Sequence, residues 1–345
     1  DRYSTRAEQF PLAVFLNLQQ RHSFAFPNQE LRIKNQKVMS IKEKAKPIID
    51  NAIKAVHERK FYAQYPEHPK AYGEDGPAQG EERFRKILNN KYEELLQADP
   101  DKWIGKERSP YTQEDLNISY PAFSVKTLIE RAGQCRKEWK NVSVEERGAM
   151  LVDALERIKE RFFEIAYATM HTTGQSFIMS FQASGPHAND RALEAIAFGY
   201  QELQRFPSEV TWTKPMGKFD IVLQKRFKPI PKGIGVVIGC STFPVWNSVP
   251  GIFASLITGN PVIVKPHPGA ILPIAIVVSE IQNALQANGY NPHICQLAVD
   301  EPGDMITSTH RPHEHAVARG IPFKSLMAEL FAKTTGCCRG KGGSM

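Results

Sequence analysis

From Lys232 to Pro268 the chain reads KGIGVVIGCSTFPVWNSVPGIFASLITGNPVIVKPHP, and this stretch constrains the fold more than any other. Two short apolar runs, Gly235–Gly239 and Pro261–Val264, have the continuous hydrophobic character of strands buried on both faces. A sharp loop and a short apolar helix separate them. The second run delivers Lys265 at its carboxyl end, where open α/β sheets bind nucleotides. By spacing alone, a plain βαβ unit with a surface lysine fits the same pattern.

The surrounding periodicity extends this unit. Val236–Cys240, Pro261–Lys265 and Ile294–Ala298 read as strands, with helices at Ser248–Thr258 and Ile271–Asn288 between them. Strands alternating with helices imply a parallel sheet with right-handed crossovers. Upstream, the period is helical. Ile41, Ile48, Ile49, Ile53 and Val56 follow Met39 at spacings near one turn. Further helices are expected near Gly80–Leu96 and over Phe123–Trp139, Val144–Thr173 and Asp190–Phe206. The one at Val144 opens with Ser143 and Glu146, a capping box, and carries Leu151, Leu155, Ile158, Phe162 and Ile165 on one face. Over Val210–Pro229 the period changes to two around Met216-Gly217-Lys218, which predicts a hairpin.

The wording of these segments says more than their spacing. TFPVWN, GIFASLITGNPVIVKPHPGA and MHTTGQSFIMSFQASGPHANDRALEA resemble the aldehyde dehydrogenase superfamily, in its phenylacetic acid degradation protein N branch. In that superfamily one strand ends in a Trp-Asn-Phe-Pro loop and the next in Lys-Pro. Here the loop is Ser241-Thr242-Phe243-Pro244, and Lys265-Pro266 is intact. The resemblance covers Met39 to Ser308. It implies an α/β fold: a helical N-terminal region (39–208), a β-hairpin oligomerisation arm (209–230) and an incomplete parallel Rossmann-like cofactor sheet (231–309). It also implies an aldehyde substrate, NADP or NAD as cofactor, and a homo-oligomer.

The resemblance assigns roles residue by residue. Gly239, Cys240 and Ser241 line the cofactor through their backbone, and Lys265 donates to the adenosine ribose hydroxyls. Many relatives place a glutamate three residues after this lysine to hold the ribose diol. Here that position is Pro268, with His267 beside it. With no carboxylate at 268 to repel a 2′-phosphate, NADP is expected to be accepted and even preferred. Thr242 stands where the oxyanion-hole asparagine is expected, with Asn247 as a substitute donor. Gly233, Gly235 and Gly239 are not a dinucleotide fingerprint, because they lead into and through the strand instead of following it into a helix.

The chemistry needs a cysteine nucleophile and a glutamate base, and neither is found in a matching context. Cys337-Cys338 lies in the glycine-rich, basic TTGCCRGKGGSM, and Cys135 and Cys295 read as buried structure. Cys240 falls in the cofactor loop. His310, His313 and His315 with Glu314 have irregular spacing and predict a solvated tail, with no metal site. After Thr307 the family pattern stops, so residues 310–345 are expected to be an aberrant tail from a frameshift or truncated frame, with the catalytic domain absent. Residues 1–38 show no sustained period and are expected to be translated upstream sequence or an added leader. The alternative to an active dehydrogenase is therefore an inactive chain that keeps weak nucleotide binding or an interaction surface.

Bulk properties bound the remaining classes. The net charge is +7, but residues 1–38 contribute +3 and residues 310–345 contribute +4, so the chain between them is neutral. A neutral core lacks the electrostatic footprint of a nucleic-acid binder. No run reaches the ~20 apolar residues that span a bilayer. Five cysteines without a CxxC spacing argue against a disulfide framework, and the expectation is a cytoplasmic enzyme.

Overall fold

The computed structural model describes residues 28–300 and 316–318, with side chains for 41–300. Contacts divide the chain into residues 1–37 and 38–345, and the second unit carries the architecture below. Helix α1 (Asn28–Glu58) begins upstream of Met39, where no period was expected. Gln29, Glu30, Leu31, Arg32 and Lys34 are strong helix formers, and propensity suffices there without an apolar stripe. Further along, Ala45, Ile49 and Ala52 bury one face of α1.

Helix α2 (Gly76–Ile87) stops short of the expected Leu96. Asn89 takes a left-handed conformation, and Tyr92 turns inward to meet Ser279. Strands β1 (Lys102–Ile104) and β2 (Tyr120–Ala122) form a small antiparallel pair. Helices α3 (Val125–Trp139), α4 (Val144–Lys159), α5 (Phe162–Thr173), α6 (Phe177–Ser184) and α7 (Pro186–Leu203) follow. The capping box is present: Ser143 Oγ accepts from the Glu146 amide at 3.2 Å, and Glu146 Oε2 accepts from the Ser143 amide at 3.4 Å. The single helix expected over Val144–Thr173 is two. The chain breaks at Arg161, whose guanidinium reaches Glu164 at 2.9 Å and Glu280 at 2.9 Å. Glu164 is a local partner, while Glu280 comes from across the fold and no local window announces it. Helix α7 also starts earlier than expected, with Pro186 in its first turn.

The antiparallel hairpin β3 (Glu209–Pro215) and β4 (Asp220–Arg226) turns at Gly217, which has φ of 79°. Then come β5 (Ile234–Ile238), α8 (Pro244–Ile257), β6 (Val262–Lys265), α9 (Leu272–Ala287), β7 (Cys295–Leu297) and β8 (Ala316–Ala318). They build a parallel sheet in the order β7-β6-β5-β8. Strand β8 lies within 310–345, so part of the segment read as a tail pairs with β5.

Strands β6 and β7 are buried on both faces, as strands of a parallel sheet with helical crossovers are, and β5 alternates between buried and half-buried residues. On β6, Val262 and Val264 join the main core with Leu155, Ile196, Phe253 and Ile276. Ile263 points the other way, to Phe123, Leu128 and Ala132. Two features fix the start and end of the crossovers. Glu107 is buried, and its carboxylate accepts from the Leu272 amide at 3.0 Å, which anchors the start of α9. Desolvation raises its pKa. Arg147 donates from Nε to the Ile257 carbonyl at 2.8 Å and so closes the end of α8.

Candidate dinucleotide site at the strand ends

Because the sheet is parallel, β5, β6 and β7 all deliver their carboxyl ends to one edge of the fold. Ile238 and Lys265 are register partners, and the Gly239 amide donates to the Lys265 carbonyl at 2.8 Å. The two loops that carry Gly239–Thr242 and Lys265–Pro268 therefore lie side by side. This hydrogen bond occupies the Gly239 N–H, so that glycine cannot offer it to a ligand. Its role is room: a Cβ there would sit 3.2 Å from Ser248 Oγ and 3.3 Å from Pro266 Cα.

The loop after β5 is braced from within. The Asn247 amide donates to the Thr242 carbonyl at 3.0 Å and to Cys240 Sγ at 3.3 Å, and the Cys240 thiol donates to the same carbonyl. Asn247, which is exposed, thus directs its side-chain donors to the loop in this arrangement. Thr242 is exposed, and its carbonyl is the hub of the brace. Phe243 adopts φ of 52° at the start of α8, an unusual conformation for a non-glycine residue that packing against Trp246 accompanies. The amino end of α8, with Pro244 in its first turn, faces this loop. Such an end favours negative charge.

Lys265 ends β6 with its ammonium largely enclosed, 13% exposed, and 3.0 Å from Asp300 Oδ1. Asp300 follows β7 and is 3% exposed. The sequence reading looked for a carboxylate only at position 268; the fold supplies one from the next strand. At 3.0 Å the charges touch, yet their alignment leaves Oδ1 without a hydrogen-bond partner among the described residues. Ser248 Oγ is likewise buried and unpartnered. His267 turns its Nδ1 back to accept from the Gly269 amide at 3.1 Å, and Pro268 is half-buried beside it.

Among the described residues, the thiol at this edge is Cys240, which is tied into the loop. Cys135 and Cys295 are buried, and desolvation pushes the Cys135 thiol up to about 11 and the Cys295 thiol higher still. Both are inert by this criterion. Cys337, Cys338, His310, His313, Glu314 and His315 lie outside the described residues. Among the described residues no group of three or more His, Cys, Asp or Glu is placed to hold a metal ion. No helix among them is long and apolar enough to cross a membrane.

A cleft of about 680 Å³ lies elsewhere, lined by Glu81, Arg85, Arg108 and His171 among others. Ser109 Oγ meets His171 Nδ1 there at 2.8 Å. That serine is fully buried and accepts from the Tyr111 and Thr112 amides, so it closes a turn and is not a nucleophile. The strand ends, not the cleft, bring together the charges and the tight backbone approach that a nucleotide requires.

Residues 107–310 match the aldehyde dehydrogenase family. Among solved structures, an NAD-dependent aldehyde dehydrogenase from Burkholderia multivorans is 42% identical with a TM-score of 0.75, over 78% of this chain and 49% of that one. A 1-pyrroline-5-carboxylate dehydrogenase from Thermus with bound NAD is 18% identical with a TM-score of 0.55, over 72% of this chain and 47% of that one, a likeness of fold alone. A different and short likeness, 62% identity over 42 residues, is to the pyruvate dehydrogenase E1 component subunit alpha-3, chloroplastic, of Oryza sativa subsp. japonica. It covers 12% of this chain and 10% of that protein. The chain thus spans about half the length of the dehydrogenase structures and about a tenth of that curated relative.

Proposed function

Because this chain belongs to the aldehyde dehydrogenase family, we propose that it carries the dinucleotide-binding part of an NAD(P)-dependent aldehyde dehydrogenase. The observation that carries this reading is the meeting of the Gly239–Thr242 loop, Lys265 and Asp300 at one end of a parallel sheet. The residues present fit a dinucleotide. A Cβ at position 239 would crowd Ser248 Oγ and Pro266 Cα, Ser248 Oγ and Asp300 Oδ1 are buried without hydrogen-bond partners, and α8 offers its amino end to a pyrophosphate. Lys265 would donate to the adenosine ribose hydroxyls, while Cys240 and Ser241 line the loop with backbone. When bound, the nicotinamide supplies a hydride acceptor. The chain's part is to hold it, orient it and exclude water from the strand ends.

Oxidation of an aldehyde to an acid through a cysteine adduct needs a nucleophile and a base as well. The Thr242 hydroxyl stands at the oxyanion position by resemblance, and in this arrangement Asn247 directs its side-chain donors to the loop. Two of the three described thiols are buried and the third, Cys240, is tied into the loop. We therefore propose that this chain binds the dinucleotide but does not turn over aldehyde by itself. The motifs around Thr242 and Lys265 support an aldehyde from phenylacetate or related aromatic-acid breakdown. The exposed β3–β4 hairpin supports self-association.

Equilibrium titration of the purified chain with NAD and NADP, followed by nucleotide fluorescence or calorimetry, tests the reading. Binding is expected, and Lys265→Ala should weaken it roughly tenfold, about 1.4 kcal/mol. Absence of binding to either dinucleotide by a folded chain would sink the assignment. Aldehyde-dependent NAD(P)H formation that Cys338→Ala abolishes would overturn the inactivity.

A further inference from the structure

Position 268 carries proline, so no carboxylate within the β6 loop guards the cation of Lys265. The fold guards it from the next strand. Just after β7, the Ala298 amide donates to the Val264 carbonyl at 2.8 Å, and this contact carries the chain to Asp300 at the end of β6. The resulting pair is close and enclosed, 3.0 Å apart with side chains 13% and 3% exposed. We infer that the Lys265–Asp300 pair makes this site select NAD over NADP.

The inference rests on the reading of the strand ends as the adenosine end of a dinucleotide site. Two consequences of the pairing carry it. First, the charge of Lys265 is already compensated. A 2′-phosphate gains most from a lysine whose charge is free, and here the same ammonium faces a carboxylate at contact distance. Second, anything that Lys265 touches lies within a few ångströms of Asp300. A phosphate dianion placed there meets a fixed negative charge in a poorly solvated corner, where screening is weak. A ribose diol meets no such penalty. It accepts from the lysine through one oxygen, and its O–H groups suit an acceptor-only carboxylate with an unfilled oxygen. Asp300 would thus do from β7 what a carboxylate at 268 does in other arrangements. His267 does not offset it, because its ring is turned onto the Gly269 amide.

The test measures affinities, not activity. NAD and NADP are titrated separately into the full chain and into Asp300→Asn, with circular dichroism and a thermal melt to confirm folding. The unmodified chain is expected to bind NAD at least tenfold more tightly than NADP. Asp300→Asn should shift the ratio of NADP to NAD affinity at least tenfold toward NADP, because it keeps shape and removes charge, whatever part of NAD affinity is lost with the acceptor. Asp300→Ser provides the same comparison if the asparagine variant does not fold. If the unmodified chain binds NADP as tightly as NAD, or if neither variant alters the ratio, the selection by Asp300 is wrong while the dinucleotide site stands. If neither dinucleotide binds, the site itself is wrong, and the selection falls with it.

Discussion

A buried carboxylate near the start of α7 makes stability depend on pH in an unusual direction. Asp190 accepts from the Gln64 amide at 2.9 Å and pins the segment after α1 to the helical core. Burial raises its pKa from 3.8 to about 6, against hydrogen bonds and neighbouring cations that lower it. The folded chain therefore holds this proton more tightly than the unfolded chain does. Its contribution to stability is full below about pH 4, declines as pH rises through the folded value near 6, and stays lost above it. The shift corresponds to about 3 kcal/mol at most. Asp190→Asn keeps an oxygen for the Gln64 amide and removes the titration. It should melt higher than the unmodified chain at pH 7.5, and the gap should close as pH falls toward 4. A pH-independent gap between the two melting curves would show that the charge is not the cause. Neighbouring His187 meets Glu67 at 2.7 Å, a second tie between α7 and the segment after α1.

At the scale of elements, β7 shows how the site is held. Its outer edge would leave unpaired backbone, and two glutamines close it. Gln97 accepts from the Leu297 amide at 2.7 Å and donates to the Leu297 carbonyl at 3.1 Å, and Gln282 donates to the Cys295 carbonyl at 2.7 Å. This edge of the sheet is thus satisfied by side chains, a way of blunting strand pairing with other molecules. Gln97→Met fits the space but strands two buried backbone groups, and should cost about 2–4 kcal/mol by urea denaturation. Because Asp300 follows β7, the same variant should also loosen discrimination between NAD and NADP. An unchanged midpoint would mean that water or another group replaces the amide. What the sequence made legible here was local: the strand runs, the lysine at the end of β6, the hairpin turn at Gly217 and the Ser143–Glu146 box all depend on neighbours in the chain. Helix α6 was not among the expected elements, although Gly174 closes α5 in a left-handed turn and Ser176 caps the next helix, both local signals. The Arg161–Glu280 contact, the glutamine caps and the Lys265–Asp300 pair depend on partners far along the chain, and no window of sequence displays them. The loop of position 268 shows no carboxylate, while the one beside Lys265 is Asp300, which follows β7.

The hairpin raises the question of scale beyond one chain. Every residue of β3 and β4 is exposed, including Trp212, Ile221, Val222 and Leu223, and Phe219 at the turn is 63% exposed. A lone two-stranded hairpin is marginal in water, and an apolar surface on both of its faces adds an unfavourable contact with solvent. The cross-strand pair of Trp212 and Leu223, with Lys225 over the indole at 4.1 Å, gives local order but buries little. A second copy of the chain is the occupant that the family fold suggests, and it would bury the face that one chain leaves open. Sedimentation velocity over a range of concentrations should show self-association of the unmodified chain. Replacing Trp212 and Val222 by glutamate places charges on both faces of the hairpin, and should weaken that association by roughly tenfold or more. The melting profile of the helical core should change little, because neither side chain belongs to that core. A chain that sediments as a monomer at all concentrations, with or without the charges, would show that the hairpin needs no copy of itself. A charged variant that associates as before would place the contact elsewhere on the surface.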